Sequence, residues 1–157
     1  MRKLSKLSLL LSLVLAAGCE HQSTTFLQDR FEPIQENFSS ITDPRARWEA
    51  YRLHDYVFEQ QRICFCAPPP DHEVVVTNNQ VTLVVGPSGE VLRTDIGMTV
   101  DQIFAWIDSL RQQKVDQLEV EYHARYGYPT RLALDGSFGT ADDELTLHIK
   151  SLRKLRK

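Results

Sequence analysis

The sequence lacks the residue arrangements that mark the common catalytic and cofactor-binding sites. It has no serine, histidine and aspartate in an order that indicates a nucleophilic triad, no glycine-rich loop of the kind that cradles phosphate, and no helical His-Glu-x-x-His motif. An enzyme is therefore the minority hypothesis. The sequence also predicts no bound cofactor and no metal site.

An excess of basic residues is also missing. The chain has 18 Lys and Arg against 21 Asp and Glu, a formal net charge of -3. Proteins that bind nucleic acid need a basic surface to release counterions from phosphates, so nucleic acid is not an expected partner. With 157 residues, of which 42% are hydrophobic, the chain has the size of one domain with one core.

Long hydrophobic runs are absent as well. The apolar segment from Leu7 to Leu15 is too short to cross a bilayer, which takes about 20 residues. It follows the positive residues Arg2, Lys3 and Lys6, and small residues then lead to Cys19. This order is typical of a secretory signal, and Leu-Ala-Ala-Gly-Cys resembles the lipobox of bacterial lipoproteins. The sequence predicts a signal peptide over residues 1–18 and a lipid on Cys19, with a plain secretory signal as the alternative.

The expected location and partners follow from that N-terminus. Removing residues 1–18 leaves 15 basic and 21 acidic residues, a net charge of -6. Glu20 directly follows Cys19, and a glutamate at this position resembles the pattern of lipoproteins that pass to the outer membrane. We expect a lipid-anchored protein of the cell envelope, at the outer membrane and facing the periplasm. Its expected partners are the membrane, through the N-terminal lipid, and an unidentified envelope protein or cell-wall component.

The rest of the chain divides into an arm, a domain and a tail. Residues 20–25 are polar and predict a flexible tether. Four apolar residues at helical intervals then predict an arm that docks on the domain, namely Leu27, Phe31, Ile34 and Phe38. We therefore expect a lipidated tether and docking arm over 19–42, a single domain over 43–152, and a basic tail over 153–157. The basic run over residues 150–157, which includes this tail, either rests on anionic lipid or lipopolysaccharide or is a frayed end.

Within the domain, periodicity and capping signals predict two helices and about six strands. The first helix starts at Asp43-Pro44 and runs to about His54, and the second has a Thr99 and Gln102 capping box and ends near Lys114. The strands are expected at Tyr56 to Cys66, Glu73 to Thr77, Val81 to Val85, Leu118 to Tyr122, Leu132 to Leu134 and Leu145 to Ile149, with a turn at Asn78-Asn79. The order helix, three strands, helix, three strands predicts an α+β fold, with both helices on one face of an antiparallel sheet.

A succession of short motifs carries a family resemblance. The motifs are Trp48, Asp55-Tyr56, Cys64-Phe65-Cys66, Asn78-Asn79, the run from Thr99 to Phe104, Tyr122 with Gly127-Tyr128-Pro129, and the run from Ala141 to Glu144. In this order the chain resembles, over about residues 44–150, the bacterial lipoproteins grouped as a domain of unknown function, DUF6174. His123 departs from the pattern, which has an acidic residue there. The resemblance implies the fold and the envelope location, and it brings no activity.

The pair Cys64 and Cys66 admits three interpretations. In an oxidising compartment a structural disulfide is favoured, ahead of inert thiols and of a redox or metal role. The Cys-x-Cys spacing is an incomplete ligand set, which His72 and His123 would complete only if the fold brought them close. In a straight strand the two Cα atoms lie about 6.6 Å apart, so a bridge requires a bend.

Two further clusters supply a candidate partner surface. Asp142 and Asp143 belong to an acidic run that fails the calcium-loop pattern, since the twelfth position from Asp135 is Thr146. Tyr126 and Tyr128 belong to an aromatic turn with no nucleophile or orienting carboxylate beside it. The sequence therefore predicts a non-catalytic binding or structural module. The alternative is a thiol-redox or metal-handling protein that uses Cys64 and Cys66.

Overall fold

The computed structural model describes residues 30–156. The predicted signal peptide, Cys19 and the polar tether lie outside the described residues. Within residues 30–156, no helix combines the length and the apolar character needed to cross a bilayer.

The described chain is an α+β fold with one antiparallel sheet. Its elements are β1 (Phe31–Glu32), α1 (Pro44–Ala50), β2 (Tyr56–Cys64), β3 (His72–Thr77), β4 (Gln80–Val85), β5 (Val91–Leu92), a 3₁₀ turn (Thr94–Ile96), α2 (Val100–Gln113), β6 (Gln117–Tyr122), β7 (Pro129–Asp135) and β8 (Leu145–Leu155). The strands lie in the order β5-β4-β3-β2-β8-β7-β6, and β1 pairs with β8. The α+β class with two helices and an antiparallel sheet is confirmed. The sheet has eight strands where about six were predicted, and the element order is strand, helix, four strands, helix, three strands. The two additional strands have two residues each, too few to show a period.

The helices begin as their capping signals predict. The Asp43 carboxylate accepts a hydrogen bond from the Ala46 amide at 2.7 Å, and both bonds of the Thr99 and Gln102 capping box are present. The first helix nevertheless ends at Ala50, well short of His54. The chain leaves it through Arg52, whose φ of 48° lies in the left-handed region and cannot continue a helix.

The core lies between the two helices and one face of the sheet. The helices contribute Trp48, Val100, Ile103, Phe104, Ile107 and Leu110, the residue that caps the end of α1 contributes Tyr51, and the strands contribute Tyr56, Phe58, Val74, Val76, Leu132, Leu147 and Ile149. Two residues of the predicted arm, Ile34 and Phe38, pack against this core. The Phe38 ring meets Tyr51 edge to face at 4.9 Å, and its amide donates to the Tyr51 hydroxyl.

The sheet has two ends, each defined by the chain segments that meet there. At the entry end, residues 30–32, 51–56, 77–80 and 154–156 come together, because Leu155 N donates to Asp55 O and Arg156 N donates to Arg30 O. At the disulfide end, residues 63–66 meet residues 134–146, because Cys64 pairs with Leu145, which pairs with Leu134. The strand β8 has 11 residues and connects the two ends over about 35 Å.

Candidate functional site

The disulfide end takes its shape from the point where β2 stops. This strand ends at Cys64, and the chain then bends at Phe65 and Cys66. The sulfurs of Cys64 and Cys66 are bonded, and their Cα atoms lie 5.2 Å apart. A straight strand would separate them by about 6.6 Å, so the bend supplies the shortening that the spacing argument requires. The ring holds Phe65 at its tip.

Three large apolar side chains at this end are open to solvent. Phe65 is 83% exposed, Phe138 is 71% exposed and Ile63 is 52% exposed. Ile63 and Phe65 flank the bonded Cys64, and Phe138 lies in the loop that joins β7 to β8. We call these three residues the apolar trio. Side chains of this size usually bury, so their grouping at one end of a sheet is typical of an interaction surface.

The loop that carries Phe138 is held by specific hydrogen bonds. The Phe138 amide donates to the Asp116 carboxylate at 2.8 Å, and the Asp116 amide donates to the Gly136 carbonyl at 3.4 Å. Within the loop, the Thr140 amide donates to the Ser137 carbonyl at 2.9 Å. These bonds tie the loop to the start of β6. The exposure of Phe138 is therefore a property of an ordered backbone.

Carboxylates lie in and beside the loop that carries Phe138. Partial burial raises the pKa of Asp135, and repulsion from Asp143, Glu144 and Asp116 raises it further. One oxygen each of Asp135 and Asp143 is buried without a hydrogen-bond partner. Asp142 is exposed. Over residues 30–156, no three His, Cys, Asp or Glu side chains are grouped so as to hold a metal ion. The disulfide end thus combines an apolar surface with negative charge.

Residues 40–154 match the model of a family of unknown function, DUF6174. The chain belongs to this family. The matched segment runs from just before α1 to the penultimate residue of β8, so it contains both helices and nearly all of the sheet. Comparison with curated proteins finds no match, and comparison with solved structures finds none either.

The four predicted partner-surface residues do not form one surface in this DUF6174 domain. Tyr126 and Tyr128 lie in the loop between β6 and β7, whereas Asp142 and Asp143 lie in the loop between β7 and β8. These loops leave opposite ends of the seven-residue β7, which is about 20 Å long. The grouping is therefore corrected: the aspartates belong to the disulfide end and the tyrosines do not.

Tyr128 is a core residue of the domain. It is only 4% exposed, and its ring meets Trp48 edge to face at 6.2 Å and stacks on His123 at 4.9 Å. Burial raises the pKa of its hydroxyl to about 12. A partner cannot reach this side chain, because the aromatic turn packs inward. Tyr126 is half-buried, and its ring stacks on the His123 ring at 4.8 Å.

His123 has a structural role in the same turn. Its Nδ1 accepts hydrogen bonds from the amides of Arg125 and Tyr126, both at 3.2 Å. Burial lowers the pKa of its imidazole, and the positive charge of Arg125 lowers it further. The neutral ring is thus favoured, as acceptance at Nδ1 requires. The predicted departure from the family pattern therefore falls on a residue that closes a turn.

His72 is the other histidine that the sequence connected with the cysteines. It is 3% exposed in β3, its Nδ1 lies 2.6 Å from the Pro70 carbonyl, and its Nε2 is buried without a partner. A groove of about 440 Å³ lies beside it, lined in part by Gln60 and Lys150. Sequence reasoning missed this groove, because its walls come from strands distant in sequence.

Proposed function

We propose that this protein is a lipid-anchored module of the bacterial cell envelope that binds a partner through its disulfide end, without catalysis. The N-terminal pattern of basic residues, an apolar segment and small residues before Cys19 supports the anchor. The exposed apolar trio supports the binding surface, and this is the observation on which the proposal depends.

The chemistry of the disulfide end selects the kind of partner. Aromatic side chains are enriched at the centres of protein interfaces, where they bury a large area at a low cost in conformational entropy. Phe65 and Phe138 are held by a disulfide ring and by hydrogen bonds, so binding would order little backbone. The neighbouring carboxylates favour a basic partner. We therefore infer an envelope protein, or a cell-wall component, with basic and apolar groups on one surface.

The position of the disulfide end suits a membrane-anchored module. Residues that precede Arg30 join the domain at the entry end, and the apolar trio lies at the opposite end of the sheet. A lipid on Cys19 would therefore leave the binding surface directed away from the membrane.

Photo-crosslinking in intact cells tests the binding surface. The full chain carries a photoreactive amino acid in place of Phe65 or of Phe138, and the control carries it in place of Glu49, which is exposed on α1. We expect positions 65 and 138 to capture the same partner and position 49 not to capture it. Replacing Asp142 and Asp143 by asparagine should lower the yield. Equal adducts at all three positions, or none at 65 and 138, would refute the proposal.

A second candidate function rests on the exposure of Cys66, which places one sulfur of the bridge within reach of an external thiol. In this alternative the bridge exchanges with a partner's dithiol. A Cys64→Ser variant that retains Cys66 would trap a mixed disulfide in cells, because its free thiolate attacks the oxidised, disulfide form of the partner, one partner sulfur leaves as a thiolate, and this protein has no second thiol there to resolve the bond. If photo-crosslinking from positions 65 and 138 captures the partner equally well in the double-serine variant Cys64→Ser, Cys66→Ser, the bridge is structural.

A further inference from the structure

The groove of about 440 Å³ beside His72 lies on the face of the sheet that the helices leave uncovered. Side chains alternate between the two faces of a strand, so the residues next to buried core positions point to this open face. Four lining residues pair in one row across β8, β2, β3 and β4, namely Lys150, Glu59, Glu73 and Val85. The turn that follows β4 adjoins the end of this row and lines the groove through Gly86, Pro87 and Gly89. We call this site the open-face groove.

Carboxylates outnumber cations in the open-face groove. Its charged lining consists of three carboxylates and one ammonium, from Glu59, Asp71, Glu73 and Lys150. Two further charges touch the lining, because Arg153 pairs with Glu73 and the Glu90 carboxylate lies against Gly86. With these included there are four carboxylates and two cations, an excess of two negative charges. The groove therefore favours a positively charged occupant.

Two of the carboxylates keep oxygens available to a donor. No hydrogen bond or ion pair within residues 30–156 engages the Glu59 carboxylate, although Lys150 lies opposite it in the sheet. The Lys150 ammonium instead donates to the Gln61 side-chain oxygen at 3.3 Å, and the Gln61 amide donates to one Asp71 oxygen at 2.9 Å. The groove thus offers acceptors, and an occupant that fills it must supply donors.

We propose that the open-face groove receives a lysine or arginine side chain of the protein partner. This inference rests on the proposed function, because Ile63 of the apolar trio lies on the same face of β2 as Glu59. Val85 and Pro87 supply apolar surface for the methylene stem, and the available carboxylate oxygens accept from its charged end. Ile63 lies about 13 Å along β2 from Glu59. An extended partner segment therefore presents its basic residue and an apolar residue about four positions apart.

A peptide titration followed by NMR tests the groove with a defined probe. The protein is the chain over residues 19–157 with Cys19→Ser, and the probe is the blocked pentapeptide Lys-Ser-Ser-Ser-Phe. A second peptide has norleucine in place of the lysine, which keeps the apolar stem and removes the charge. The groove variant carries Glu59→Gln with Asp71→Asn, and the control variant carries Glu36→Gln with Glu49→Gln. Both variants replace two exposed carboxylates by amides.

We expect the lysine peptide to shift the amide signals of Gly86 and Gly89 and to bind the unsubstituted chain and the control variant alike. The groove variant should bind this peptide roughly threefold to tenfold more weakly. Lys150→Gln, which removes the competing cation, should bind it more tightly. Equal binding of the lysine and norleucine peptides, or an equal loss in the two double variants, would overturn the proposal.

Photo-crosslinking in cells separates this inference from the proposed function. If position 65 still captures its partner while the lysine peptide binds the groove variant and the unsubstituted chain equally, the groove inference fails and the proposed function stands. If position 65 captures nothing, the proposed function fails. The peptide titration then still decides whether the groove binds a cationic side chain.

Discussion

At the scale of single residues, Gly127 shows most clearly why the aromatic turn packs inward. Its φ is +81°, and a Cβ built on it would lie 2.2 Å from the Pro44 carbonyl oxygen at the start of α1. The turn therefore approaches the helix more closely than any side chain allows. This approach brings Tyr128 against Trp48 and buries it.

We predict that Gly127→Ala destabilises the domain more than Gly89→Ala does. Gly89 has nearly the same φ, +84°, but open space around its Cβ position. The left-handed conformation costs an alanine about 1–2 kcal/mol at either site, and the contact with Pro44 should add about 1–3 kcal/mol at Gly127 alone. Urea unfolding of both variants measures the difference. Equal losses would show that the close approach to α1 does not matter.

The buried hydroxyl of Tyr128 predicts a specific pH dependence. Burial, and secondarily Tyr126, raises its pKa to about 12, whereas an unfolded tyrosine titrates near 10. The unfolded state loses the proton first, so this contribution to stability is complete below about pH 10 and is lost as the pH rises towards 12. Unfolding free energies measured above pH 10 should fall less steeply in Tyr128→Phe. An unchanged slope would contradict the burial of this group.

At the scale of elements, the sequence predicted the helix caps and turns, because interactions between residues close in sequence determine them. The Thr99 capping box placed the start of α2 at Val100, and Asn78 and Asn79 form the tight turn with φ values of 52° and 60°. Sequence reasoning failed where contacts between residues distant in sequence determine the structure. The strands β1 and β5 exist only because β8 and β4 offer them partners.

The candidate site shows the same contrast between features that depend on local sequence and features that depend on distant contacts. The cysteine spacing and the acidic run could be recognised in the sequence, and a close cysteine pair is present in the structure. The exposure of Phe138 could not be predicted, because it depends on the Asp116 carboxylate 22 residues earlier in the chain. Tyr128 was assigned to a surface because a turn with several aromatic residues gives no sequence signal for the face that packs inward.

We predict that removing the disulfide costs little stability. The bridge joins residues only two apart, so it restricts the unfolded chain much less than a 15-residue loop, for which the gain is about 3 kcal/mol. The double variant Cys64→Ser, Cys66→Ser should fold with a modestly lower Tm. For comparison, Ile107→Ala in the core should cost about 2–5 kcal/mol. A loss of that size in the double-serine variant would show that the ring stabilises the whole domain.

At the scale of the whole molecule, we assign membrane attachment to one end of the sheet and partner binding to the other. The entry end holds the join to the preceding chain, and the disulfide end holds the apolar trio. Membrane attachment and partner binding would then act about 35 Å apart along β8. Loss of either function by substitution should leave the other intact, because the two sets of residues lie at opposite ends of the sheet.

The central claim is that the domain is held at the membrane through Cys19, and fractionation of cells that produce the full chain tests it most directly. The unsubstituted protein should be recovered with the membranes, cleaved before Cys19, with the mass of a diacylglyceryl group added to its N-terminal residue. The Cys19→Ser variant should lack that mass and should lose stable membrane association, because the proposed anchor is the lipid itself. An unmodified Cys19 in the membrane-bound protein, or full membrane retention of Cys19→Ser, would contradict the account.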